Sequence, residues 1–572
     1  MPPTWNDIEL LIVGAGTMGA SLAQTYAQSG FNVGMLDVSE EVLHGGLTAI
    51  ERELEHAKGK IFSASEVAAT RRRILTTTNY EEACRGRNLQ LVIEAATERV
   101  DVKKEIFRCL DLLTAPHVVI ASNSSSLDTN LLAQATRRPD KVVWMHYFYL
   151  PHKNRAGEYA GTETASEQSK AIARKYLKLG GKIPTYIRGS RKGGVADIIF
   201  VALLLEATRL HEEGHELATI EAAAGKAYGI PIGFLELMDV TGLPVGLYSM
   251  RSFSDPSNPG DPLYKVYGNF YTPTQGYANL VEQYNAAPDN STVRWMTAGA
   301  GQSPVTGSRR VSLPDGPGNR SSAKRSPGAS SAGSVDVLAE RFLAIGFLTA
   351  AECVDAGLII IEDLEQLSQN AFLWQKGPFA LMNEIGMNRV ESAVKRRADI
   401  AASLKQDFPV CNLLKKKMGD RSAWSVHCSP VAVEKELDGA VRRITLSNPR
   451  SANAMDNTVF GELKRQFSEA NDDDRCKVVI FDTAPIKTFI AGAHIPSFIE
   501  RIKSGKIDAV LRDTREWQHI LFHVMTGTSK PNIAIVDGQA FGGGVEVACA
   551  FALDPNSIVM ITNRTSFSLP ET

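Results

Sequence analysis

Residues 11 to 19 read Leu-Ile-Val-Gly-Ala-Gly-Thr-Met-Gly, an apolar run feeding Gly-x-Gly-x-x-Gly and then a helical pattern. No other segment constrains the fold as much, because strand, tight turn and helix must succeed one another without slack. Gly14 allows the turn, Gly16 lets a pyrophosphate approach the backbone, and Gly19 permits close packing of helix on sheet. The helix amino terminus at Thr17 and Met18 favours an anion. Asp37 ends the next apolar run, where a carboxylate can accept ribose hydroxyls and would repel a 2′-phosphate. The pattern predicts a dinucleotide site built from Gly14, Gly16, Thr17, Met18, Gly19 and Asp37, with NAD favoured over NADP.

Around this motif, apolar runs at 10–13, 33–36, 91–93, 118–121 and 142–144 alternate with amphipathic stretches, the rhythm of βαβ units and a mostly parallel sheet. From Ile198 the texture is helical. Residues 301–334 break it: 19 of these 34 are Ser, Gly or Pro, which predicts a flexible linker. The helical texture then returns with an internal repeat, Gly229 to Gly242 matching Gly377 to Gly386 about 144 residues on. A third, α/β texture starts near residue 433, with strands expected at 441–446, 477–482, 532–536 and 558–561. In a chain of 572 residues this predicts five parts: 1–187, 188–300, a linker at 301–334, a second helical repeat at 335–425, and 433–572.

Composition excludes some functions. Sixty-two Lys and Arg against 64 Asp and Glu leave no electrostatic footprint for nucleic acid or an anionic membrane. No signal peptide or long apolar run is evident, and the seven cysteines are scattered without Cys-x-x-Cys. We therefore expect a soluble, cytoplasmic protein without a metal site.

His146 comes just after an apolar strand, with Glu158 twelve residues later and Ser125 twenty-one earlier. A dehydrogenase acting on an alcohol needs a base for the hydroxyl proton, and a carboxylate-oriented His suits neutral pH. Together with Val92-Ile93-Glu94-Ala95, Glu98, Lys103 and Ala121-Ser122-Asn123-Ser124-Ser125-Ser126-Leu127, these residues resemble the NAD-dependent 3-hydroxyacyl-CoA dehydrogenases from Gly14 to about Asp239. The resemblance implies a Rossmann-type NAD domain and, after it, all-α dehydrogenase carboxyl-terminal repeats. It makes His146 the proton acceptor, Glu158 its partner and Ser125 a donor to the substrate oxygen, and it puts Glu98 and Lys103 near the nicotinamide. Lys58 and Lys60 are candidate contacts for the CoA phosphates, solvated surface lysines being the competing reading. The chain departs from the family at Tyr149-Leu150-Pro151, where Asn-Pro is usual, and at Asp197, where an active-site Asn is expected. The second change replaces a possible donor by an acceptor-only carboxylate, which bears on substrate contacts and on the histidine's pKa.

In the last region, Phe489-Ile490-Ala491-Gly492-Ala493-His494 and Gly538-Gln539-Ala540-Phe541-Gly542-Gly543-Gly544-Val545-Glu546 set small residues at strand-to-helix junctions. Two such junctions can converge backbone N–H groups on a thioester oxygen. With Leu446-Ser447-Asn448-Pro449-Arg450-Ser451-Ala452-Asn453-Ala454 and Ser568-Leu569-Pro570-Glu571, they resemble the crotonase, or enoyl-CoA hydratase, family. The resemblance implies oxyanion amides at Ala493 and Gly543 and a water-handling pair at Glu546 and Glu571. His494 stands where Asp is commoner. The family carries roughly as many residues again beyond Glu571, so a partial crotonase (α/β) fold is expected.

The combined expectation is a homo-oligomeric bifunctional enzyme of fatty-acid β-oxidation acting on acyl-CoA thioesters, dehydrogenase first and hydratase second. The alternatives are a catalytically impaired CoA- and NAD-binding fragment, or a crotonase half working as an isomerase or ring-cleaving hydrolase.

Overall fold

The computed structural model describes residues 3–58, 63–86, 88–189, 192–257, 261–287, 293–295, 332–426, 429–448, 451–483, 488–562 and 564–569. They form two compact units, one running to Val426 and one starting at Ser429.

In the first unit, the apolar runs become strands. These are β1 (Leu10–Val13), β2 (Val33–Leu36), β3 (Ile74–Thr77), β4 (Leu91–Glu94), β5 (Val119–Ser122), β6 (Val142–Tyr147), β7 (Ala156–Gly161) and β8 (Ile183–Tyr186). They build one sheet in the order β3-β2-β1-β4-β5-β6-β7-β8. Pairing is parallel from β3 through β6, antiparallel between β6 and β7, and parallel again between β7 and β8. All four residues of β1 and of β4 are buried, so Leu10–Val13 and Leu91–Ile93 read as apolar runs rather than as alternation, with buried Glu94 closing β4. The strand order reverses between β1 and β4, which opens a crevice beyond their carboxyl ends. Strands β3, β7 and β8 have no such run: β3 is half Thr, and Gly157 and Glu158 interrupt β7.

The helical half opens with Val195–Glu212, Leu217–Tyr228, Phe234–Thr241 and Leu243–Phe253, and resumes with Ala332–Asp355, Ile361–Ala371, Pro378–Ile385 and Met387–Ser403. The repeat has a physical basis in a capping device. Glu221 accepts from the N–H groups of Leu235 and Glu236, and Glu365 accepts from those of Phe379 and Ala380. Each carboxylate thereby satisfies orphan donors at the start of the next helix, the position a glutamate favours. Both short helices end at a glycine of positive φ, Gly242 at 108° and Gly386 at 83°. The repeats share one core, in which Tyr228 stacks on Trp374 with centroids 3.9 Å apart. Glu206 lies in the same core, pairing with Arg341 at 2.7 Å and with Arg397 at 2.9 Å.

Of the stretch read as a linker, residues 301–331 lie outside the described residues. Its last three residues, 332–334, instead open the Ala332–Asp355 helix. A count of small residues cannot distinguish Ala-Gly-Ser in a linker from Ala-Gly-Ser leading into an apolar helix.

The second unit holds β9 (Val431–Glu436), β10 (Val441–Leu446), β11 (Val478–Thr483), β12 (Thr488–Ile490), β13 (Asn532–Val536), β14 (Gln539–Phe541), β15 (Ser557–Ile561) and β16 (Ser566–Ser568). Five strands form a sheet in the order β15-β13-β11-β10-β9, parallel except for the β9–β10 hairpin. The other three form a parallel sheet, β12-β14-β16. Among the described residues, no helix is long and apolar enough to cross a membrane.

Candidate active site

The glycine turn lies at the carboxyl end of β1, at the point where the strand order reverses. Gly14 has φ 104°, and a Cβ there would sit 2.6 Å from the Ala95 carbonyl oxygen. A Cβ on Gly19 would fall 1.8 Å from the Gly14 carbonyl oxygen, whereas a Cβ on Gly16 would meet nothing within 4 Å. Two glycines therefore serve the fold, and Gly16 leaves open space in front of a helix, Thr17–Gln28, whose amino terminus has no side-chain cap. Asp37 is fixed beside this turn, its Oδ2 accepting from Ala15 N at 2.8 Å and its Oδ1 from Val38 N at 2.8 Å. An uncapped helix start, open backbone and a partly exposed carboxylate at the end of β2 fit a dinucleotide.

His146 lies on β6 directly opposite Glu158 on β7, so the antiparallel register itself makes the pair. His146 Nδ1 is 3.0 Å from Glu158 Oε2, and the carboxylate is fully buried. Glu158 Oε1 accepts from Ala196 N at 3.0 Å, in the first turn of the Val195–Glu212 helix. The Gly193-Gly194 entry to that helix makes this approach possible, since a Cβ on Gly194 would fall 2.1 Å from Glu158 Oε2. A Cβ on Gly193 would likewise lie 2.8 Å from the Ser125 carbonyl oxygen, which places the Ser125 loop against the same turn. Trp144 stacks on the His146 ring with centroids 5.3 Å apart, and Phe148 meets it edge-on at 4.8 Å.

Asp197 brings a second carboxylate, its Oδ2 standing 3.4 Å from His146 Nε2. Burial opposes charge on the ring, but Asp197 and Glu158 outweigh it and push His146 up to about 9. Burial, with Glu158 adding to it, raises Asp197 to about 7 against the pull of His146.

The structure therefore joins His146, Glu158 and Asp197 and sets Ser125 on the adjoining loop. Glu98 accepts from Ser124 Oγ at 2.5 Å and is exposed at the crevice, where its charge also reaches His146. Lys103 is held at the end of β4, bordering the crevice. It is 1% exposed, and its ammonium donates to both oxygens of Glu94 at 2.8 and 2.7 Å. A motif match cannot show that a lysine on the buried face of a helix is already neutralised. Lys58 pairs with Glu55 at 3.3 Å on the surface, and Lys60 lies outside the described residues. Tyr149 is partly buried, which raises its phenol. Three contributors were not singled out from the sequence: Trp144, Phe148 and Ser124. The signal for the first two was the spacing of two residues on either side of His146, which puts them on its face or beside it.

In the second unit, Gly492 has φ 93° and Gly542 φ 46°, and a Cβ on Gly492 would lie 3.3 Å from Gly543 N. A Cβ on Gly543 would in turn lie 3.7 Å from Ala493 N, so the two turns that carry the predicted amides lie against each other. Met455 holds the first loop, donating to Gly492 O and accepting from His494 N, both at 2.8 Å. Asn453 supports it from below, its Nδ2 bonding Phe489 O at 3.0 Å. Glu546 is exposed in the first turn of the Gly543–Leu553 helix, while Glu571 lies outside the described residues.

Comparison with known proteins agrees with this layout. The family model for the NAD binding domain of 3-hydroxyacyl-CoA dehydrogenase matches residues 9–190, and that for its C-terminal domain matches 193–285. The enoyl-CoA hydratase/isomerase model matches 441–572. The chain is 30% identical to the mitochondrial hydroxyacyl-coenzyme A dehydrogenase of Rattus norvegicus over 279 residues, covering 48% of this chain and 85% of that protein. It is 31% identical to a probable 3-hydroxybutyryl-CoA dehydrogenase of Bacillus subtilis, covering 45% of this chain and 88% of that one. Among solved structures, 3-hydroxybutyryl-CoA dehydrogenase from Escherichia coli K12 shares the fold, with a TM-score of 0.56 at 20% identity, over 73% of this chain and 99% of that chain.

Proposed function

The chain belongs to the 3-hydroxyacyl-CoA dehydrogenase family, and from that premise we propose that it carries out two consecutive reactions on acyl-CoA thioesters. The first unit oxidises (S)-3-hydroxyacyl-CoA to 3-ketoacyl-CoA with NAD, and the second, matched by the enoyl-CoA hydratase/isomerase model, adds water to trans-2-enoyl-CoA. The product of the second is the substrate of the first, which is the order of steps in fatty-acid β-oxidation.

The buried His146–Glu158 pair beside the dinucleotide cradle carries this reading. Gly14, Gly16, Thr17, Met18, Gly19 and Asp37 would hold NAD, whose nicotinamide supplies the hydride acceptor when bound. His146 takes the hydroxyl proton on Nε2, the nitrogen turned away from Glu158. Glu158 compensates the charge that arrives on the ring, and its own charge is held by Ala196 N–H at the helix amino terminus. Trp144 and Phe148 fix the ring plane and keep water from it. Ser125 donates to the substrate oxygen. In the second unit, the amides of Ala493 and Gly543 polarise the thioester carbonyl, with Glu546 and Glu571 moving the water protons. The six described cysteines are free thiols, which suits a reducing compartment such as the cytoplasm.

The test is product analysis with the whole chain. Crotonyl-CoA alone should give 3-hydroxybutyryl-CoA, and adding NAD should give NADH and the 3-keto thioester. Failure to form NADH from supplied 3-hydroxybutyryl-CoA would overturn the first assignment, and failure to hydrate crotonyl-CoA the second.

A further inference from the structure

The side chain at position 197 sets up a constraint on His146 that the general reaction does not require. Both ring nitrogens face carboxylates, Nδ1 toward Glu158 at 3.0 Å and Nε2 toward Asp197 at 3.4 Å. A neutral imidazole has one donor and one acceptor nitrogen, so in that form one lone pair would point at a carboxylate oxygen. With both carboxylates ionised, only the imidazolium presents a proton to both. We propose that Asp197 is a positioning residue that holds resting His146 as the imidazolium, so that the site stands at neutral pH as a proton donor to a 3-keto oxygen and becomes a base toward a 3-hydroxyl only on the alkaline side. This rests on the dehydrogenase reading above.

The surroundings favour that charge state. The charged groups acting most strongly on His146 are Glu158 from β7, Asp197 from the Val195–Glu212 helix and Glu98 from the loop after β4, all three acidic. Glu158 is fully buried and the His146 side chain is 6% exposed, so little water screens the pair. The contact with Asp197 is an ion pair without hydrogen-bond alignment, for Asp197 Oδ2 is buried and has no hydrogen-bond partner among the described residues. The Nε2–H bond is therefore not committed to Asp197 and remains available to a substrate oxygen. In the reducing direction the keto carbon gains a hydride from NADH, which is oxidised to NAD. The carbonyl π pair moves to oxygen and takes the Nε2 proton, and the ring is left neutral with Nδ1–H still bonded to Glu158. Solvent then returns a proton to Nε2. An Asn at 197 would carry no charge and could donate its amide to a neutral Nε2, so the neutral ring would then be satisfied.

The experiment is an NMR titration of the histidine imidazoles in the full chain, with the His146 signal assigned by its loss in His146→Gln. Wild-type His146 is expected to remain charged through pH 8, and in Asp197→Asn its midpoint should fall by at least one pH unit. The alkaline rise of kcat/KM for 3-hydroxybutyryl-CoA oxidation should move down by the same amount, a tenfold change in neutral ring at a given pH. Equal midpoints in the two proteins would overturn the proposal. So would a wild-type midpoint at or below the ordinary value of about 6.5, a result that needs no variant to fold. A chain that turns over no 3-hydroxyacyl-CoA would overturn the functional reading, while the titration would still decide this one.

Discussion

At the scale of single residues, three glycines of one motif do separate work. Gly19→Ala should lower the melting temperature, because its methyl would overlap the Gly14 carbonyl and the helix would have to move off the sheet. Gly16→Ala meets open space and should melt like wild type, yet it should weaken NAD binding at least tenfold in a titration monitored by fluorescence. Equal melting of both variants would contradict this division. The roles of Gly14 and Gly19 in the fold were legible in the sequence because a tight turn and a close helix–sheet approach demand glycine from the local backbone alone. His146 and Glu158 were legible as a pair only through the resemblance. Their contact is made by the register of β6 against β7, and β7 carries no apolar run that would have marked it as a strand. The surroundings of Lys103 were not legible for a related reason: its partner Glu94 and its burial are properties of packing, which a lysine in a motif does not display.

At the scale of elements, buried charge decides how helices and strands are joined. Lys103 anchors its helix to the end of β4 through Glu94, with both groups out of water. Lys103→Met should cost about 3–5 kcal/mol in chemical denaturation, since it leaves a carboxylate buried without its cation. A loss under about 1 kcal/mol would show that Glu94 finds another partner. The two helix-capping glutamates explain why the internal repeat was visible. A carboxylate, a glycine start and a glycine stop recur because each helix start needs acceptors and each stop needs a positive φ. The strand-to-helix junctions at Gly492 and Gly542 were readable for the same reason. The main-chain bridge from Met455 to the Ala493 loop was not, because backbone pairing between distant segments does not depend on the side chain at that position.

At the scale of the molecule, the two helical repeats of the first unit are joined around Glu206, which faces Arg341, Arg397 and Arg209. Burial alone would raise its pKa, but Arg397, Arg341 and Arg209 overcome this and lower it to about 2. A carboxyl group depressed in the folded state contributes stability above its unfolded pKa, and that contribution is lost as pH falls toward its folded value. Glu206→Gln should therefore destabilise the unit at pH 7 by a few kcal/mol. Its deficit relative to wild type should shrink steadily as pH is lowered from about 4.5 toward 2. A deficit independent of pH would mean that shape, not charge, holds the repeats. No single position in the sequence signals this link, because Glu206 and Arg397 lie on helices of different repeats, 191 residues apart.

The proposed function gives one residue, His146, the acid–base chemistry of the first unit. The most direct test of that claim is NADH formation from 3-hydroxybutyryl-CoA by His146→Ala, measured together with NAD binding. The structure predicts that turnover falls by at least a thousandfold while NAD binds within about twofold of wild type, because His146 lies on β6 and the dinucleotide cradle on β1 and β2. Turnover by His146→Ala within tenfold of wild type would contradict it.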